Sequence, residues 1–376
     1  MSIVTAPSTP LTDTEDVRAD VAGLLDEHLA ALGGELEGYG PDAAALLDAL
    51  GTMIEGGKRL RPAFCYWSWR AHGGLEAAAH GTAADRRTVL GVGAALELFQ
   101  AAALFHDDVM DGSDARRGRP AAHRHFEAVH RAAGWSGPAD SFGEAAAILL
   151  GDLALVASER QLSTALATAP GTVGARARAV FDRMRSEVTV GQYLDVLAQA
   201  LPWGDGHEEE ARARAVVRAK SARYSVEHPM VLGAVLAGAD QGAVDRCRST
   251  GLALGEAFQL RDDVLGVFGD PAATGKPAGD DLREGKRTVL VARAVQQASP
   301  EDHALLTEHL GRRDLAVEDV ERLRAVLHRS GALDAVETMI DDLAGPALDT
   351  LAGAPLAEPG RTMLVRLGQA AVDRPA

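Results

Sequence analysis

Two aspartate clusters, Asp107-Asp108-Val109-Met110-Asp111 and Asp262-Asp263-Val264-Leu265-Gly266, each close a long apolar stretch and constrain this chain more than any other feature. Apolar stretches of this kind bury themselves, and carboxylates carried inward with them need a counter-charge. The apolar residues recur at helical rather than alternating spacing, so Asp107 and Asp111 share one helix face with Asp108 beside them. One such platform alone reads equally well as a solvated helix end, but two on separate apolar helices do not. A calcium loop fits poorly, because Val109 takes a ligand position and Gly118 stands where the closing glutamate belongs.

The chain is 47% hydrophobic but only 4% aromatic. Its Ala- and Leu-rich segments favour helix, so the expected fold is all-α. One helical domain is expected over residues 13–376, behind a disordered tail of residues 1–12. Helical patterns run over Asp42 to Met53, Arg61 to Ala71, Thr88 to Met110, Phe142 to Ala167, Thr172 to Ala200, Glu208 to Val226 and Gln241 to Phe268. Several more follow between Thr288 and Ala371.

A net charge of −16 argues against general nucleic-acid affinity and against binding anionic membranes through bulk charge. Cys65 and Cys247 lack metal-ligand spacing and suit a reducing compartment. The N-terminus shows no secretory pattern, and charge is expected to interrupt every apolar stretch of membrane-spanning length. A cytoplasmic protein without a transmembrane segment follows.

Against this acidic background the basic clusters stand out. Gly56-Gly57-Lys58-Arg59-Leu60-Arg61-Pro62 places Lys58 and Arg61 at a helix start, and Arg116-Arg117-Gly118-Arg119-Pro120 follows directly on the first platform. A guanidinium fork matches diphosphate oxygens, while Arg59 and Arg119 read as ordinary surface arginines. Lys220-Ser221 and the Gly-rich loop from Thr274 to Thr288, which carries Lys276, form a third basic region suited to a lid over phosphates. Mg²⁺ takes one or two carboxylates and completes its shell with water and phosphate oxygens, so the platforms suit a diphosphate substrate. No Ser-His-Asp spacing, Cys/His knuckle or nucleotide-binding glycine motif is present, and His106, His123, His125 and His228 read as packing residues.

In order along the chain, these motifs resemble the trans-type isoprenyl diphosphate synthases, the polyprenyl synthetase family. G-G-K-R-L-R-P, D-D-x-x-D and R-R-G-R-P are followed by G-D-L at Gly151 to Leu153, G-Q-x-x-D at Gly191 to Asp195, K-S-A at Lys220 to Ala222 and F-Q-L-R-D-D at Phe258 to Asp263. The resemblance implies an isoprenoid-synthase helical bundle with a central cavity, acting as a homodimer. The implied reaction is Mg²⁺-dependent head-to-tail condensation of isopentenyl diphosphate with dimethylallyl, geranyl or farnesyl diphosphate, releasing pyrophosphate. It assigns Asp107, Asp111 and Asp262 to three Mg²⁺ ions, supported by Asp108 and Asp263. Arg116, Lys220 and Lys276 fall to the allylic diphosphate, and Lys58, Arg61, Gln100 and Arg117 to isopentenyl diphosphate. Ser221 and Gln259 would lie beside the forming cation.

Two positions depart from the family pattern. Gly266 replaces a third aspartate, leaving Asp270 as a possible substitute, and Gln100 replaces a histidine but still donates a hydrogen bond. In the family, bulky aromatics four or five residues before the first aspartate shorten products; here those positions are Ala103 and Ala102. Phe99, one turn further down, is expected to form a deeper floor, giving geranylgeranyl diphosphate, with farnesyl or longer polyprenyl products as alternatives. A class I terpene cyclase needs an N-x-x-x-S-x-x-x-E motif or an Asp-led variant. This chain has no asparagine, and Gly266 and Val267 stand where Ser or Thr should follow. An inactive partner subunit would be expected to lose one platform.

Overall fold

The computed structural model describes residues 14–204, 206–270 and 279–373. Helices begin where the sequence supplies caps: the side chains of Asp85, Asp240, Thr288 and Ser299 accept from the backbone N–H groups of Thr88, Ala243, Val291 and Asp302. Each satisfies a donor that the first helical turn cannot pair. In order, the helices are α1 (Val17–Leu36), α2 (Pro41–Ile54), α3 (Leu60–Ala71), α4 (Gly74–Ala79), α5 (Arg86–Asp111), α6 (Ala122–Ala133), α7 (Ala139–Leu166), α8 (Gly171–Ala200) and α9 (Gly206–Val216). A π-helical segment (Val217–Glu227) leads into α10 (His228–Leu236) and then α11 (Gln241–Phe268). A short α12 (Asp280–Glu284) precedes α13 (Val289–Gln297), α14 (Pro300–His309), α15 (Val317–Arg329), α16 (Ala332–Gly353) and α17 (Gly360–Val372). The only strands among the described residues form a two-residue hairpin, Ala115–Arg116 with Arg119–Pro120, so the all-α expectation holds.

The bundle is organised around α5, which packs on α7 and α3, while the π-helical segment lies between α8 and α11. Beneath them α3 and α10 meet, burying Phe64, Tyr66, Trp67 and Trp69. The Trp69 indole N–H donates to the Ala84 carbonyl at 3.1 Å, so this large apolar group leaves no polar atom unpaired.

Two elements differ from expectation. The stretch expected as one helix from Glu208 to Val226 is α9 followed by the π-helical segment. Helix α6 lies outside the expected helical patterns, because Phe126 and Val129 are its only large apolar residues; it forms by packing on α7. Glu97 and Asp152 interrupt the apolar stretches of α5 and α7, as expected, yet each helix keeps an 18-residue window apolar enough by composition to cross a membrane. The α5 window is 83% buried in the bundle, that of α7 only 39%. Helix α7 turns Phe142, Ile148, Leu149 and Val156 outward, and α8 does the same with Val190, Tyr193 and Val196. The N-terminal tail and Lys276 lie outside the described residues.

Candidate active site

The first aspartate cluster ends α5, where Gly112 caps the helix in the left-handed conformation. Asp108 is fully buried, and the Arg116 guanidinium, held by the hairpin that follows, donates to it through Nε at 2.9 Å. Arg116 Nη2 also reaches Asp107 at 3.5 Å. Lys220 donates to Asp107 at 2.8 Å and to Asp195 at 2.6 Å. Burial alone would raise the Asp107 carboxyl, but Lys220, Lys286 and Arg116 together hold it well below the usual carboxylate range. Burial, with Asp107 and Glu284 nearby, pushes Asp111 up to about 6 despite Lys286.

Lys220 and Ser221 sit on the π-helical segment, a rare conformation that is frequent at functional sites. Two glycines let neighbouring helices approach its backbone. A Cβ on Gly191 of α8 would collide with the backbone nitrogen of Lys220, and one on Gly255 of α11 would collide with the Ala222 carbonyl. The G-Q-x-x-D motif thereby gains a physical meaning: Gly191 admits the segment, and Asp195 one turn further receives the Lys220 ammonium. Replacing Gly191 with alanine is expected to displace Lys220 and lower turnover about a hundredfold. Pyrophosphate release measures this, and Gly171→Ala, a position with open space around it, should leave turnover unchanged.

The second cluster lies on α11. Gln259 donates to Asp263 at 2.8 Å, yet burial, with Asp281 and Asp262 close by, raises the Asp263 carboxyl well above its ordinary value. A Cβ on Gly266 would run into the Asp281 carboxylate. Asp281 of α12, not Asp270, therefore occupies the space a side chain at 266 would take. Lys286 joins the first cluster to α12: its ammonium lies 2.6 Å from Glu284, 3.2 Å from Asp111 and 3.6 Å from Asp281. Asp195, Asp281 and Lys286 all lie within stretches the sequence singled out, but only tertiary return of the chain shows their place.

The remaining basic residues make separate contacts. Arg61 donates to Ser225 Oγ at 2.9 Å and stacks over the Tyr224 ring at 4.1 Å. Arg117 and Gln100 line one pocket at the end of α2, where Arg117 donates to the Met53 carbonyl at 2.9 Å. Lys58 stands exposed in the loop before α3. Arg119 is exposed as expected, whereas Arg59, expected at the surface, is only 6% exposed and pairs with Glu97. His228 is a packing residue tied to Glu187 at 2.8 Å, and His106 lies 3.2 Å from the Ile148 carbonyl. Phe99 packs edge-on against Phe181 and Tyr224, at ring-centre distances of 6.4 and 5.5 Å.

Among the described residues no three carboxylate, imidazole or thiol groups are already gathered around one point for a metal ion. Mg²⁺ takes few protein carboxylates and leaves positions for phosphate oxygens. Asp107 and Asp111, buried and faced by three cationic side chains, are groups that already demand positive charge.

A family model described as polyprenyl synthetase matches residues 43–327. A geranylfarnesyl diphosphate synthase from Aeropyrum pernix is 31% identical over 85% of this chain and 90% of that protein. A geranylgeranyl diphosphate synthase from Mycobacterium tuberculosis is 31% identical over 78% of this chain and 75% of that one. Among solved structures, geranylgeranyl pyrophosphate synthase from Corynebacterium glutamicum, complexed with isoprenyl diphosphate and magnesium, superposes with a TM-score of 0.90. It is 36% identical, over 97% of this chain and all of that one. The fold and site thus define a helical trans-prenyltransferase. The chain belongs to the polyprenyl synthetase family.

Proposed function

We propose that the protein condenses isopentenyl diphosphate head to tail with an allylic diphosphate, giving geranylgeranyl diphosphate and pyrophosphate. The observation that carries this reading is the position of Lys286, which pairs with Asp111 of the first cluster and lies near enough to Asp263 of the second to favour its ionised carboxylate. Three Mg²⁺ ions held by Asp107, Asp111 and Asp262, with Asp108 and Asp263 behind them, would neutralise the leaving diphosphate. Lys220, Arg116 and Lys276 would hold the same diphosphate as the C–O bond breaks, adding fixed positive charge where negative charge develops. The Gln259 amide and Ser221 hydroxyl would orient their dipoles toward the allylic cation, and the pyrophosphate just released would take the proton. Lys58, Arg61, Gln100 and Arg117 would seat isopentenyl diphosphate. Apolar walls around the cation exclude water that would quench it.

Several observations support the finer points. Geranylgeranyl diphosphate synthases recur among the relatives, and Ala102 and Ala103 leave the first turn below the aspartates without bulk. The outward apolar faces of α7 and α8 suit burial against a second copy of the chain, so we read the protein as a homodimer. A chain of this charge, with both thiols buried and free, suits the cytoplasm.

Incubating purified protein with Mg²⁺, isopentenyl diphosphate and each allylic primer, then measuring product length, tests the reading. Twenty-carbon diphosphate is expected, and the absence of any elongated product contradicts the proposal. Phenylalanine at Ala103 is expected to shift the main product to fifteen carbons by filling the next turn down. An unchanged product length in both Ala103→Phe and Ala102→Phe would show that the floor lies elsewhere.

A further inference from the structure

Arg59 lies between two candidate substrate ligands, Lys58 and Arg61, yet points inward. Its backbone is left-handed, with φ of 51°, a conformation a non-glycine residue keeps only when its surroundings enforce it. Its guanidinium supplies the enforcement, donating to Glu97 Oε2 at 2.5 Å and to the Ile54 carbonyl at the end of α2. Both partners of the ion pair are buried. Glu97 stands on α5 three residues before Gln100, on the same helix face, and the pocket lined by Gln100 and Arg117 is also lined by Arg59 and Glu97. Arg117 reaches the neighbouring Met53 carbonyl, so the C-terminal end of α2 anchors guanidinium groups from two separate loops. Glu97 is also the carboxylate that supports the charge on Arg117, which burial, Arg59, Arg116 and Arg61 all disfavour.

We propose that the Arg59–Glu97 pair is a positioning device for the isopentenyl diphosphate seat, fixing the loop of Lys58 and Arg61 against Gln100 and Arg117. The inference rests on the assignment of that seat made above. Arg59 touches no substrate; it sets the spacing of the groups that do, and Glu97 lets those cations stand together. The allylic diphosphate side, built on Lys220 and the aspartate clusters, does not depend on the pair.

The test uses the full-length protein and the variants Arg59→Met, Arg59→Lys, Glu97→Leu and the double variant Arg59→Met/Glu97→Leu. An apolar pair of similar volume keeps the buried site packed, so the double variant separates folding from positioning. The KM for each substrate, the kcat and the melting temperature are measured. Arg59→Met is expected to raise the KM for isopentenyl diphosphate about tenfold or more, with the allylic KM within about twofold of wild type. Arg59→Lys should recover part of that loss. The double variant should regain the melting temperature but keep the raised isopentenyl diphosphate KM. Parallel shifts in both KM values, or a double variant with a wild-type KM, overturn the proposal. Failure of the wild-type protein to condense the two substrates would instead contradict the function assigned to the site.

Discussion

Asparagine in place of Asp107 is expected to lower turnover about a thousandfold while the protein still folds. The two effects separate because the carboxylate has two roles. In catalysis it would bind metal against the leaving diphosphate, and an amide oxygen without charge performs that task poorly. In the fold it is one of two partners of Lys220, and Asp195 still holds the ammonium at 2.6 Å after the change. Asp111→Asn behaves similarly, since Lys286 keeps Glu284 at 2.6 Å. Pyrophosphate release at saturating Mg²⁺ and a thermal melt of the same sample check both halves. A variant retaining a tenth of wild-type turnover would remove Asp107 from the metal site.

Lys220→Ala is expected to damage both activity and stability. Removing the ammonium leaves the largely buried carboxylates of Asp107 and Asp195 facing one another without their shared cation. Breaking one side of a buried ion pair typically destabilises by about 3 kcal/mol or more. Turnover should fall about a hundredfold, because the leaving diphosphate loses a fixed positive charge. Denaturant unfolding gives the first quantity and steady-state kinetics the second. The double variant Asp107→Asn/Lys220→Met should recover much of the stability but none of the activity, as coupled neighbours do in a mutant cycle.

The parts of the fold set by local periodicity were legible beforehand. Helix α11 runs over Gln241–Phe268 as expected, and α5 ends at Asp111, one residue beyond the expected Met110. Arg116 and Lys220 do meet the first aspartate cluster, because each lies on or next to a long helix whose facing follows from its spacing. What escaped depends on close approach between distant segments. The π-helical turn under Lys220 reflects contact with Gly191 and Gly255, which no window of sequence reveals. Arg59 is indistinguishable in sequence from the exposed Arg119; its burial follows from a partner on α5 and a left-handed backbone. Asp281 reaches Gly266 only because α12 folds back on α11. The long apolar stretches of α5 and α7 each carry a carboxylate near mid-helix, Glu97 and Asp152, yet the residues around it are apolar enough that an 18-residue window of each still passes for a membrane span by composition.

The central claim is that the two acidic clusters act together on one diphosphate. Its most direct test is a crystal structure of the protein soaked with Mn²⁺ and a non-hydrolysable allylic diphosphate analogue, with the metals located by anomalous scattering. Three peaks are expected around the analogue's diphosphate, two beside Asp107 and Asp111 and one beside Asp262. Metal bound at only one cluster, or a diphosphate seated away from both, would contradict it.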